Sequence, residues 1–417
     1  MRQTAASWPD DPAASGEPPA QPGRRDFGRW ATGALAAALA GPGPARAAEP
    51  GALTVWYTIP GLPGMRRVAE RFEQRTGVRC VAEAPEDMAL KFRRAASAGK
   101  GPDVFVYAHD QLGEWIAGGL LRPVSPSRRV RADTHPLGLQ AFSVGGRLWG
   151  YPFNIDSVGL IYNKALVSTP PATFEEVFAL DRRLAAQGRK ALLWDYTNPY
   201  FSWPLLAAQG AYAFKARPDG SFDAADTGAA TEGAIRGAEM LLRLIREGVM
   251  PEGSGYAEME AAMGRGQVAM MINGPWAWDN LRKAGIDFGV AKVPGFGGRP
   301  AAPFVGVRGA MINRASPNVE LAVEFIENHL LTPEGLSTIN AAQAIGVPAS
   351  AAYYAQLRSD PRIETLLASA QDGHIMPSLP EMGRFFASMT SALSNLTQGR
   401  QTPRDALEAA ARRIVQR

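Results

Sequence analysis

Residues 269–318 read AMMINGPWAWDNLRKAGIDFGVAKVPGFGGRPAAPFVGVRGAMINRASPN, and the architecture follows from how this segment breaks and restarts. An apolar run, Val268 to Ile272, stops at Asn273-Gly274-Pro275. A helix is predicted to restart there with Pro275 in its first position, where a missing N–H costs nothing. Trp276 and Trp278 fall on the opening turn. A strand that ends in a Gly-Pro break before a helix beginning with large aromatics sets flat apolar surface at the carboxyl end of a strand. Open α/β sheets bind ligands there.

Outward from this segment the chain alternates strand and helix. Strand patterns cover Leu53 to Tyr57, Val78 to Ala82, Asp103 to Ala108 and Ala191 to Trp194. Helical spacing covers Gly64 to Arg75 (closed by Gly77), Met88 to Ala98, Thr173 to Gln187, Pro199 to Ala208, Ala234 to Glu247 and Tyr256 to Arg265. Thr173 and Glu176 have the spacing of a capping box. Repeated βαβ order predicts an α/β protein with a mostly parallel sheet and helices on both faces. No internal repeat of solenoid length is present.

The 417 residues exceed one ordinary domain and predict two. A net charge of +4, not gathered into a run, argues against nucleic acid as a partner. Residues 1–47 differ in composition from the rest. A Pro/Ala/Gly-rich leader precedes Arg24-Arg25-Asp26-Phe27, an apolar run from Trp30 to Leu39 and the small-residue sequence Ala45-Arg46-Ala47. This reads as a signal peptide for the twin-arginine export route, its apolar run too short to span a bilayer. No Cys stands directly after Ala47, so a lipid anchor of the usual bacterial kind is not expected, and the single Cys80 reads as a buried structural thiol.

The segment from Ala269 to Asn318 resembles the maltose-binding proteins of bacterial sugar ABC importers, within the periplasmic solute-binding superfamily. So, in order, do WYTIPGLPGMRRVAERFEQRTG, GPDVFVYAHDQLGEWIAGGLL, YPFNIDSVGLIYNKALV, NPYFSWPLLAAQGAYAF, PEGLSTIN, DPRIETLLASAQDGHIMPSLPEM and GRQTPRDALEAAARRI. The resemblance implies a two-lobed periplasmic-binding-protein fold of class II. Its discontinuous lobes, residues 48–154 with 310–356 and residues 159–304 with 362–417, would be joined by a hinge. It also implies a monomer in the periplasm that carries a saccharide ligand to permease subunits in the membrane, without a cofactor.

Such a site needs flat aromatic faces for pyranose rings and polar groups for their hydroxyls. Position by position, the resemblance places Trp276 and Tyr200 as stacking rings and Asp110 as a hydroxyl-accepting carboxylate. Asp156 stands in place of a glutamate, and Met376 as an apolar contact. Phe201, Tyr107 (in place of a tryptophan) and Phe386 (in place of the last stacking tryptophan) complete the aromatic surface. The departures thin the charged hydrogen bonding. The first loop is Thr58-Ile59-Pro60-Gly61 without its family charges, Gln111 replaces an arginine, Ala89 an acidic contact and Asn198 a glutamate. Three charged hydrogen bonds lost at roughly 1.5 kcal/mol or more each amount to about a thousandfold in affinity. Maltose is therefore bound poorly or new partners compensate, with Asn154, Gln111, Asn198 and Arg384 as candidates.

Two other classes use the same residues. A sensory partner of a membrane receptor would close around its ligand in the same way. A cleft hydrolase would need Asp110 and Asp156 as a carboxylate pair, but no nucleophile triad, P-loop or metal spacing accompanies them. His109, His135, His329 and His374 are scattered and read as surface or capping residues.

Overall fold

The computed structural model describes residues 49–217 and 220–416. The export signal expected in residues 1–47 lies outside them.

Two sheets carry the chain. The first orders its strands Val347–Pro348, Tyr151–Asp156, Phe304–Ile312, Val104–Ala108, Leu53–Trp56 and Cys80–Glu83, with His374–Ile375 pairing beside Phe304–Ile312. The second orders Phe288–Ala291, Gly159–Asn163, Val268–Asn273 and Lys190–Leu193. Both are mixed rather than mostly parallel, which corrects the expectation. Leu53–Trp56 pairs in parallel with both neighbours, but Phe304–Ile312 runs antiparallel to Val104–Ala108 and to Tyr151–Asp156. In the second sheet Gly159–Asn163 is antiparallel to both of its neighbours. The reason is topological. These strands enter one sheet straight from the other, so no helical crossover constrains them to a parallel direction.

The chain passes between the sheets after Asp156 and again between Ala291 and Phe304. The helix Pro361–Asp372 then packs on Phe288–Ala291. Helices Met382–Thr397 and Pro403–Val415 pack on each other and against Glu232–Arg246.

Local chemistry accounts for the elements. Helix Leu62–Thr76 buries Met65, Val68, Ala69 and Phe72 on one stripe and ends at Gly77, whose φ of 72° lets its N–H return to Glu73. Phe92 stacks on Phe105 at 4.2 Å between centroids, and Trp115 meets both edge-on. Cys80 is buried, and burial pushes its thiol up to about 12, as an inert core thiol requires.

Two local expectations shift. Thr173 Oγ1 caps Glu176 N, but the returning Glu176 carboxylate takes the N–H of Ala172, one residue before the box position. Pro275 opens a 3-10 turn, Pro275–Ala277, and the α-helix proper starts at Trp278.

Candidate functional site

Two short helix starts build an aromatic wall. Asn198 Oδ1 accepts from Tyr200 N at 3.0 Å and caps the helix Pro199–Ala207, which sets Tyr200 and Phe201 on its first turn. In the second start the Trp276 indole folds back over Gly274, where an added Cβ would lie 2.2 Å from the ring. Only glycine permits that approach. Tyr200 and Trp276 face each other at 6.2 Å and 49°, and Phe201 supports both at 5.6 and 6.4 Å. Tyr200 and Trp276 are half-buried, whereas Phe201 is 6% exposed and rests on Tyr256. Trp278 is a correction. It is 2% exposed, packs on Phe288 and lies under the Arg362 guanidinium, so it belongs to the core and offers no face to a ligand.

Near Tyr200 lies a polar floor. Arg308 sits in the middle of Phe304–Ile312, where the pairing with Tyr151–Asp156 slips between Arg308 and Gly309. It is the one residue of that strand not fully buried. Arg308 Nε pairs with Asp156 Oδ2 at 3.0 Å. Asn154 Nδ2 holds the other carboxylate oxygen at 2.7 Å and the Ile345 carbonyl at 2.7 Å. Both oxygens of Asp156 are thus engaged.

Burial pushes the Asp156 carboxyl above its usual range, against the pull of Arg308 and Asn154. Burial also opposes the Arg308 charge, but Asp156, Tyr57 and Tyr200 outweigh it and hold the guanidinium above its ordinary value. The contact geometry makes this a charged pair at neutral pH. The Tyr57 hydroxyl is buried beside the same guanidinium without a hydrogen bond of good geometry, and Asn154 Oδ1 is likewise unpartnered.

The remaining sites expected from sequence surround this floor. Tyr107 is half-buried and stacks on Phe105 at 5.4 Å; burial, then Asp110, raises its phenol. Asp110 and Gln111 share the turn His109–Gln111, and Asp110 accepts from Gln111 Nε2 at 3.0 Å. Burial, then Asp156, raises the Tyr200 phenol, and Arg308 and Asp110 also act on it, so wall and floor share one field. Thr58 Oγ1 donates to Gln343 Oε1 at 3.2 Å. Met376 is buried, its methyl close to Gly306 beside Asp156.

Phe386 packs on Phe304 and Phe385, and no ring contact joins it to the Tyr200–Trp276 pair among the described residues. Asn198 spends its carbonyl oxygen on the cap, and Arg384 is exposed. His135 caps its helix as expected, but His109 is buried, not on the surface. Its Nδ1 accepts from Val307 N at 3.0 Å and its Nε2 meets the Met376 carbonyl at 2.9 Å, so it enters the core as a satisfied neutral ring. Among the described residues no cluster of three His, Cys, Asp or Glu could hold a metal ion.

Sequence reasoning missed Arg308 and Tyr57. A signal for the first existed: an arginine centred in FVGVRGAMI cannot be buried without a counter-charge.

The family model of bacterial extracellular solute-binding proteins matches residues 56–335, more than half of the chain. The chain belongs to that family. As an extracellular solute-binding protein it falls among two-lobed, mixed α/β binding proteins, not enzymes. It is similar to a galactooligosaccharide-binding protein of Bacillus subtilis (strain 168), 28% identical over 374 residues that cover 86% of this chain and 87% of that one. A maltotriose-binding protein of Pyrococcus abyssi is 26% identical over 358 residues, 83% of this chain and 77% of that one. A maltooligosaccharide ABC transporter solute-binding lipoprotein of Streptococcus pneumoniae (strain R6) is 26% identical over 367 residues, 85% and 86% of the two chains. In this solute-binding protein no helix among the described residues is long and apolar enough to cross a membrane.

Proposed function

We propose that this chain is the substrate-binding component of a carbohydrate ABC importer. It takes a maltodextrin-like oligosaccharide or α-glucoside between the aromatic wall and the polar floor. The observation that carries this reading is the partly exposed Tyr200–Trp276 pair beside polar groups, the combination that an amphiphilic sugar ring requires. Trp276 and Tyr200 stack on the rings, with Phe201 behind them. Asp110, Gln111 and Thr58 meet hydroxyls from the other side, and Tyr107, Met376 and Phe386 line the apolar margin.

The two sheets support lobes formed by residues 48–154 with 310–356 and 159–304 with 362–417. The segments that pass between the sheets act as the hinge. Sugar touching both lobes favours the closed form by its difference in affinity for the two states, and the permease subunits recognise that form. Export by the twin-arginine signal places the protein, a monomer, in the periplasm.

A second reading, a β-galactoside in the same cleft, is favoured by the relative named for galactooligosaccharides. Titrating tryptophan fluorescence of residues 48–417 with maltose, maltotriose, trehalose, sucrose and β-1,4-galactotriose tests both. Saturable binding of an α-glucoside that is lost in Trp276→Ala is expected. Binding of galactotriose alone moves the ligand to the second reading, and no response to any sugar overturns both.

A further inference from the structure

We propose that Arg308 and Tyr57 form a central subsite that hydrogen-bonds a pair of neighbouring hydroxyls on a neutral saccharide, with Asp156 a positioning residue that holds the guanidinium and accepts nothing from the ligand. This rests on the saccharide reading above and deepens it.

The geometry argues against the simpler role for Asp156. Its two carboxylate oxygens are taken by Arg308 Nε at 3.0 Å and Asn154 Nδ2 at 2.7 Å, and the side chain is almost wholly buried. The Arg308 side chain remains 20% exposed in a strand whose other residues are buried. The slip in pairing at Arg308/Gly309 falls at the residue whose side chain leaves the sheet's packed face, which is what such irregularities do next to binding sites. Asp156 is the only ion-pair partner of this guanidinium among the described residues and engages Nε. The two terminal nitrogens form a planar fork whose spacing matches two adjacent oxygens.

A second, independent observation points the same way. Tyr57, 1% exposed, carries a hydroxyl beside the Arg308 guanidinium that makes no hydrogen bond of good geometry. A buried hydroxyl left unpaired is costly, and a ligand hydroxyl supplies its partner. Tyr200 of the wall lies within the fields of Arg308, Asp156 and Asp110, which sets the stacking ring near the guanidinium. The charge balance selects a neutral sugar over an acidic one. Asp156 already offsets Arg308, and Asp110 adds a further negative charge to the same field.

The test is isothermal titration of wild type, Arg308→Met, Arg308→Lys, Asp156→Asn, Arg308→Met/Asp156→Asn and Trp276→Ala. The probes are maltotriose and β-1,4-galactotriose, and each variant is checked by thermal unfolding. Arg308→Met is expected to weaken binding roughly ten- to a hundredfold, the span of one hydrogen bond to a charged group. Arg308→Lys keeps the counter-charge for Asp156 and the fold but loses the fork, so a comparable loss is expected. It also keeps the test valid if Arg308→Met is poorly folded. Adding Asp156→Asn to Arg308→Met is expected to cost no further affinity, because a positioning residue has nothing left to position.

A further tenfold loss in that double variant would make Asp156 a direct acceptor and overturn the inference. Binding abolished by Trp276→Ala but unchanged in folded Arg308→Lys and Arg308→Met overturns the inference and leaves the saccharide reading standing. No binding to the wild type of these two sugars or of maltose, trehalose and sucrose overturns both.

Discussion

The wall and the floor of the candidate site are built in opposite ways. The wall comes from two short stretches, Asn198–Phe201 and Gly274–Trp276, each a helix start whose aromatic neighbours in sequence stay neighbours in space. The floor joins Tyr57, Asn154, Asp156 and Arg308, which lie on three different strands or strand ends and meet because the first sheet sets Phe304–Ile312 between Tyr151–Asp156 and Val104–Ala108, with Leu53–Trp56 next in order. Local geometry suffices for stacking. A buried charge needs a partner delivered by topology, and its energetics depend on that delivery.

The contrast is largest at the aromatic end. Trp278→Ala removes a core indole and is expected to cost about 3–5 kcal/mol of stability in denaturant unfolding, whereas Trp276→Ala keeps the fold and loses the ligand. Equal destabilisation by the two would make Trp276 a core residue and dissolve the wall.

A smaller effect sharpens the floor. His109 pins Val307, the residue before Arg308, through an Nδ1 that must stay unprotonated to accept. Burial first, against the pull of Asp110, Met376 and Val307, lowers its value below the ordinary 6.5. The unfolded chain then binds the proton that the native chain refuses. Its stabilising contribution is complete above pH 6.5 and is lost as pH falls from there through the folded value, with a slope of up to about 1.4 kcal/mol per pH unit. In His109→Gln, unfolding midpoints followed from pH 7.5 to 5 are expected to lose that component of the slope. An unchanged slope would assign the acid sensitivity elsewhere.

The smallest effect concerns Asn198, the expected sugar contact that the structure uses as a cap. Asn198→Ala is expected to cost about 1 kcal/mol of stability, and Asn198→Asp, which still caps, close to nothing. Thermal unfolding separates them. Affinity that falls tenfold in a stable Asn198→Asp would restore the residue to the ligand.

Much of this was legible before folding was considered. The apolar spacing of Met65, Val68 and Phe72 before Gly77 placed the first helix to within a residue or two. The break at Asn273-Gly274-Pro275 located Trp276, because glycine and proline act on their own backbone. Strand direction was less legible. Val268–Asn273 runs parallel to Lys190–Leu193 but antiparallel to Gly159–Asn163, and nothing within these runs distinguishes the two pairings. Trp276 and Trp278, two residues apart on one turn, point to opposite fates that periodicity alone did not separate.

By itself the sequence determined the alternating α/β elements, their caps and breaks, the aromatic residues at two helix starts and, through its ordered motifs, membership in the solute-binding family. Tertiary structure alone decided that Trp278 is core and that His109 is buried and satisfied. It decided too that Asp156 is spent on Arg308, an arginine 152 positions later. The physical reason is range. Backbone conformation and side-chain spacing are fixed within a few residues, whereas the cost of a buried charge or an unpaired hydroxyl depends on which distant strand the fold sets beside it.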